Sequence, residues 1–141
     1  MAAKASGRDS QGMVQPHAPI QVFLVDDSAP IRQRVGQMLS DQGMVIVGEA
    51  ETPQSAIEGI LATHPDIVLL DIQLHGGTGL KVLRAVRVQA PQIPFIVLSN
   101  IAGVAYRKLY RMEGAAHFLD KSADFEQLVP VIHAITRPQA P

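Results

Sequence analysis

The feature that most limits what this chain can fold into is an alternation that begins at Ile20. Five short apolar runs, rich in β-branched residues, take turns with five amphipathic stretches. The apolar runs are IQVFLV (20–25), MVIVGEA (44–50), IVLL (67–70), PFIVLS (94–99) and AHFL (116–119). Turn residues bound each of them, which is the pattern of buried strand. Three are nearly continuous rather than alternating, as expected when both faces of a parallel sheet are covered.

The intervening stretches carry helical spacing. Ile31, Val35, Met38 and Leu39 follow Pro30 at i, i+4, i+7 and i+8. Thr52–Pro53 reads as an N-cap followed by a first-turn proline, with Ile57, Ile60 and Leu61 as the apolar face. Leu80, Leu83, Val86 and Ala90 form a third stripe, and residues 104–113 a fourth helix that Gly114 can stop. Phe125, Leu128, Val129 and Ile132 mark the last. Parallel strands need right-handed crossovers, and these helices supply them. The expected fold class is α/β: five βα units in a doubly wound, five-stranded parallel sheet of order 2-1-3-4-5.

A chain of 141 residues fits one domain. Residues 1–19 lack periodicity and are expected to form a flexible arm, with the domain over 20–137 and a short tail at 138–141. There is no cysteine, so disulfides and thiolate chemistry are excluded. A net charge of −1 offers no broad field for nucleic acid or a membrane surface. No stretch reaches the roughly 18 apolar residues that span a bilayer, and no secretory leader is visible. The cytoplasm is the expected location.

In doubly wound sheets, ligands gather beyond the carboxyl ends of the strands. Asp26 and Asp27 follow the first run, Asp71 the third, Ser99–Asn100 end the fourth, and Asp120–Lys121 end the fifth. With the first and third strands adjacent, three carboxylates share one pocket, with a hydroxyl and an ammonium at its rim. Three such charges repel one another and need cations nearby. Lys121 is one. A hard divalent ion such as Mg2+ suits the remaining all-oxygen donors. A carboxylate in that setting can act as a nucleophile toward a phosphoryl group.

VDDS (25–28), LLDIQLHGGTGL (69–80), VLSN (97–100) and FLDKS (118–122), in this order and each at a strand end, resemble the receiver domain of two-component response regulators. The resemblance runs from Ile20 to about residue 135 and implies a flavodoxin-like fold and a set of roles. Asp71 would accept a phosphoryl group from a histidine kinase or a histidine phosphotransfer protein. Asp27, Asp71 and the Gln73 carbonyl would ligate Mg2+, with Asp26 acting through water. Ser99 and Lys121 would bind phosphoryl oxygens. Phe118 would be the switch aromatic, swinging inward as Ser99 moves. The surface of the fourth helix, fifth strand and fifth helix would then change for a protein partner. Gln73 and Ile101 flank the site where hydrolysis is tuned. Ser99 stands for the family's threonine and keeps its hydroxyl. His75 stands where the family often has proline. Ser122 stands where it commonly has a cis proline; a cis bond before serine costs about 3 kcal/mol, so a trans bond is expected.

Taken singly, these residues have plain explanations: Asp26–Asp27 as a helix-cap approach, Asp71 and Ser99 as turn residues, Lys121 as a surface lysine, Phe118 as packing. Their joint order favours the site. The five histidines lack metal-binding spacing, and Gly76–Gly77 reads as a turn without a Walker lysine. Lys81, Arg84 and Arg87, and Arg107, Lys108 and Arg111, read as solvated faces. Tyr106 and Tyr110 stand at i, i+4, so that a tyrosine–arginine surface could meet a partner. The leading expectation is a stand-alone receiver, resembling a chemotaxis regulator, that works through protein binding without contacting DNA or membrane. The rivals are a pseudo-receiver adaptor and an aspartyl-phosphate phosphatase. Against the latter, haloacid-dehalogenase-type enzymes carry a second aspartate where this chain has Gln73.

Overall fold

The computed structural model describes residues 18–100, 103–122 and 124–137. Most of the expected arm, the tail at 138–141, and Ile101 lie outside the described residues. The strands are β1 (Gln21–Val25), β2 (Val45–Ala50), β3 (Ile67–Leu70), β4 (Phe95–Ser99) and β5 (His117–Asp120). They form one parallel sheet of order 2-1-3-4-5. The helices are α1 (Ala29–Asp41), α2 (Pro53–Thr63), α3 (Gly79–Gln89), α4 (Val104–Met112) and α5 (Leu128–Thr136).

The strand period of two divides the core. Phe23, Val25, Val68, Leu70, Phe95 and Val97 face one side, where α2 and α3 add Ile60, Val82, Leu83 and Val86. Val22, Leu24, Ile67, Leu69, Ile96 and Leu98 face the other, against Val35 and Leu39 of α1 and Leu128 and Ile132 of α5. β3 is central and buried throughout, which is why its sequence does not alternate. β2 lies at the edge, and its register with β1 slips between Val22 and Phe23.

Local chemistry sets the helix ends. The Ser28 hydroxyl accepts the Ile31 N–H at 3.3 Å, and the Thr52 hydroxyl accepts the Ser55 N–H at 3.2 Å. Gly114 follows α4 at φ +105°, a conformation that costs glycine little. A 3-10 turn at Phe125–Gln127 precedes α5, so the regular helix starts three residues after the expected Phe125. Pro130 falls in its first turn, where a missing N–H leaves no intrahelical bond unmade. Gly76–Gly77 belongs to a small antiparallel hairpin, Gln73–Leu74 with Gly77–Thr78, where only a turn was expected. Among the described residues, no helix is long and apolar enough to cross a membrane.

Candidate functional site

The sheet register builds the site. Val25 is opposite Leu70, so Asp26 and Asp71, the next residues of their chains, leave neighbouring strands together. The ladder continues into the site: the Asp71 N–H donates to the Val25 carbonyl at 2.9 Å and the Asp26 N–H to that of Ala50 at 3.0 Å. One carboxylate oxygen from each of Asp26, Asp27 and Asp71 falls within 4.8 Å of the others. Asp26 and Asp71 are buried, at 7% and 9% exposure, while Asp27 is more open.

Lys121 lies across this cluster. Its Nζ is 2.6 Å from Asp26 Oδ2 and 3.2 Å from Asp71 Oδ2. The remaining oxygens are also held: Asp71 Oδ1 accepts the Ile72 N–H at 2.7 Å, and Asp26 Oδ1 that of Ser28 at 2.9 Å. Burial pushes the Asp71 carboxyl above its ordinary 3.8; Lys121 pulls the other way and Asp26 adds to the rise. Burial works against the Lys121 ammonium, but its bond to Asp26 and the charge of Asp71 outweigh that and hold its pKa above 10.5.

Ser99 ends β4, 2% exposed and in register with Asp120. The Lys121 N–H donates to the Ser99 carbonyl at 3.0 Å, which ties the hydroxyl's residue to the ammonium's. The loop after Lys121 is fastened by its own polar groups. Asp120 Oδ1 accepts from the Ser122 N–H at 2.8 Å and from its hydroxyl at 2.7 Å, and Asp124 Oδ2 accepts the Asp120 N–H at 3.0 Å. Among the described residues no peptide bond is cis, so Lys121–Ser122 is trans as expected. His75 also uses what a proline lacks: its N–H donates to the Glu51 carbonyl at 3.0 Å, fastening the hairpin beyond Asp71 to the end of β2.

Phe118 is buried, 5% exposed. Its ring meets Tyr110 edge to face at 6.3 Å, and the Arg107 guanidinium sits 4.9 Å from its centroid. Tyr110 is 2% exposed, whereas Tyr106 is 42% exposed. The two tyrosines therefore do not form one surface. Tyr110 lies at the end of α4 that packs on α3, and the Leu80 N–H meets its hydroxyl; burial raises its pKa to about 12. Gln73 is exposed at the start of the hairpin, two residues beyond Asp71.

Two residues at the site escaped the sequence reading. Gly79 opens α3, where a Cβ would collide with the Asp71 carbonyl oxygen. Arg32 lines the cleft together with Asp26 and Asp71. A sequence signal existed for each: the glycine that closes HGGTG, and an arginine five positions past the aspartate pair with Glu49 and Glu51 at the end of the next strand.

The site can hold a hard cation between carboxylates that Lys121 partly neutralises. The model of the response regulator receiver domain matches residues 22–133. The chain belongs to that family. Over 85 residues the chain is 38% identical to a protein-glutamate methylesterase/protein-glutamine glutaminase of Anaeromyxobacter dehalogenans, covering 60% of this chain and 23% of that protein. Over 117 residues it is 28% identical to the response regulator GacA of Pseudomonas aeruginosa, covering 82% and 55%. The signal receiver domain of the putative response regulator NarL from Mycobacterium tuberculosis superposes with a TM-score of 0.79 at 29% identity, covering 86% of this chain and 98% of that one. The chain thus spans from about a quarter to about half the length of these two curated relatives, but nearly all of the solved receiver.

Proposed function

We propose that this receiver is a phosphorylation-driven switch, with Asp71 as acceptor and a histidine kinase or histidine phosphotransfer protein as donor. The observation that carries the reading is Lys121 bridging Asp26 and Asp71, with Asp27 in the same cluster. An Asp71 carboxylate oxygen attacks the phosphorus, the phosphorus–nitrogen bond of the donor's phosphohistidine breaks, and the departing imidazole nitrogen keeps the electron pair and takes up a proton. Burial on the rigid end of β3 holds the nucleophile in one place. Lys121, already within reach of Asp71 Oδ2, neutralises charge on the phosphoryl oxygens, and the Ser99 hydroxyl donates to another of them.

Three clustered carboxylates with oxygen-only donors fit Mg2+. Asp27, Asp71 and the Gln73 carbonyl would ligate it directly and Asp26 through water. Bound there, the ion would offset the negative charge that gathers in the transition state. The output is a change of the α4–β5–α5 face, through Ser99 and Phe118, read by a protein partner rather than by DNA. The receiver unit is residues 20–137, and a kinase-type donor places the reaction in the cytoplasm. With relatives matched over only part of their length, this role is that of the receiver itself, whatever else accompanies it.

Incubation with Mg2+ and acetyl phosphate is expected to add one phosphate to the mass of the protein, and Asp71→Asn to abolish the addition. Undiminished labelling of that variant would overturn the assignment.

A further inference from the structure

The three carboxylates need positive charge and a fixed backbone, and Lys121 supplies only part of that. From α1, Arg32 reaches back toward the end of β1. Its side chain is 14% exposed and its guanidinium meets three oxygens. Nη1 donates to the backbone carbonyl of Asp26. Nε donates to Glu49 Oε1 at 2.9 Å, and Nη2 lies 3.6 Å from Glu51 Oε2. Those two glutamates stand in and just beyond β2, the strand whose Ala50 carbonyl receives the Asp26 N–H. Glu51 in turn accepts the His75 N–H through its carbonyl. One guanidinium therefore joins α1, the Asp26–Asp27 corner and the end of β2, and β2 joins the hairpin beyond Asp71.

We propose that Arg32 is a positioning residue for the cation site. Its fork holds the Asp26 peptide so that the two aspartate side chains keep the spacing a small ion requires. This rests on reading the carboxylates as a Mg2+ site. Arg32 does not touch the ion, and its charge is matched by Glu49 and Glu51. Its role is geometric: Mg2+ demands short bonds and near-octahedral order, whereas Ca2+ accepts a looser shell. A planar fork with several donors can span these acceptors at once, and an ammonium cannot.

The test is paired Mg2+ and Ca2+ titration of the full chain, followed by amide NMR shifts, for wild type, Arg32→Lys and Arg32→Gln. The same spectra report whether each variant is folded. Mg2+ affinity is expected to fall about 10-fold in both variants, the low end of losses seen when outer partners of metal ligands are removed. Ca2+ affinity should fall much less, so that the preference for Mg2+ shrinks. A purely electrostatic role would shift both ions together and would be rescued by Arg32→Lys; either result overturns the proposal, as does an unchanged Mg2+ affinity. If the double variant Glu49→Gln/Glu51→Gln, which leaves Arg32 in place but without its anchors, also loses Mg2+ preference, the clamp is supported; full retention counts against it. Wild type that binds no Mg2+ at all would instead bring down the cation-site reading itself, and Arg32's role with it.

Discussion

At the scale of single residues, Asp71 is set apart by the opposing influences on its proton. Burial and Asp26 favour the neutral acid, while Lys121 favours the carboxylate. In the metal-free protein the Asp71 carboxylate should therefore take up its proton as pH falls through a value above the ordinary 3.8. Lys121→Ala removes a charge that lowers this pKa, and the midpoint should move up further. Carboxyl NMR shifts against pH, for wild type and variant without Mg2+, check both the position and the direction. Tyr110 shows how little a residue's type reveals at this scale. It and Tyr106 share a helical face, yet one is buried against α3 and β5 and the other meets solvent. The i, i+4 rule states which residues are neighbours on a helix, but not where along that helix the core ends.

At the scale of elements, two positions separate local stability from site geometry. The Thr52 cap of α2 was legible in the sequence, because hydroxyl-then-proline is chemistry contained within a few residues. Thr52→Ala should cost about 1 kcal/mol, the usual value of a lost cap, and leave labelling close to wild type. Gly79 was not legible as anything more than a turn glycine, because what it avoids is the carbonyl of Asp71, eight residues back and at a different level of the fold. Gly79→Ala should cost about 1–3 kcal/mol, the range for forcing extra atoms into a packed site. It should also slow labelling, since the atom that has to move belongs to the backbone of Asp71. Chemical denaturation with parallel labelling assays distinguishes the two effects.

At the scale of the whole molecule, the Asp71 carboxylate works against the fold that holds it. The folded-state pKa of Asp71 is raised, so the folded protein binds that proton more tightly than the unfolded chain. Its favourable contribution is complete below the unfolded value of 3.8 and is lost as pH rises through the raised folded value. At neutral pH without metal, Asp71→Asn should therefore raise stability by roughly 1 kcal/mol, a common size for a single-site effect. Mg2+ at ten times its dissociation constant should stabilise wild type by about 1.4 kcal/mol through mass action and have less effect on the variant. Thermal melts with and without Mg2+ test this; a variant less stable than wild type in the absence of metal would contradict it.

The βα alternation, the strand order and the carboxylates at the strand ends were determined by the sequence alone. Strand and helix periods, caps and turn residues are local, and right-handed crossovers leave few ways to join them. What only the tertiary structure decided is who meets whom at the ends of the strands. Asp26 and Asp71 are brought together by the pairing of Val25 with Leu70. Lys121 reaches both from just beyond β5, and Arg32 fastens the same corner from α1. These contacts join residues far apart in the chain, and they depend on how deep each side chain is buried and which way it points. Sequence spacing carries neither quantity, since both arise only once the sheet has closed against its helices.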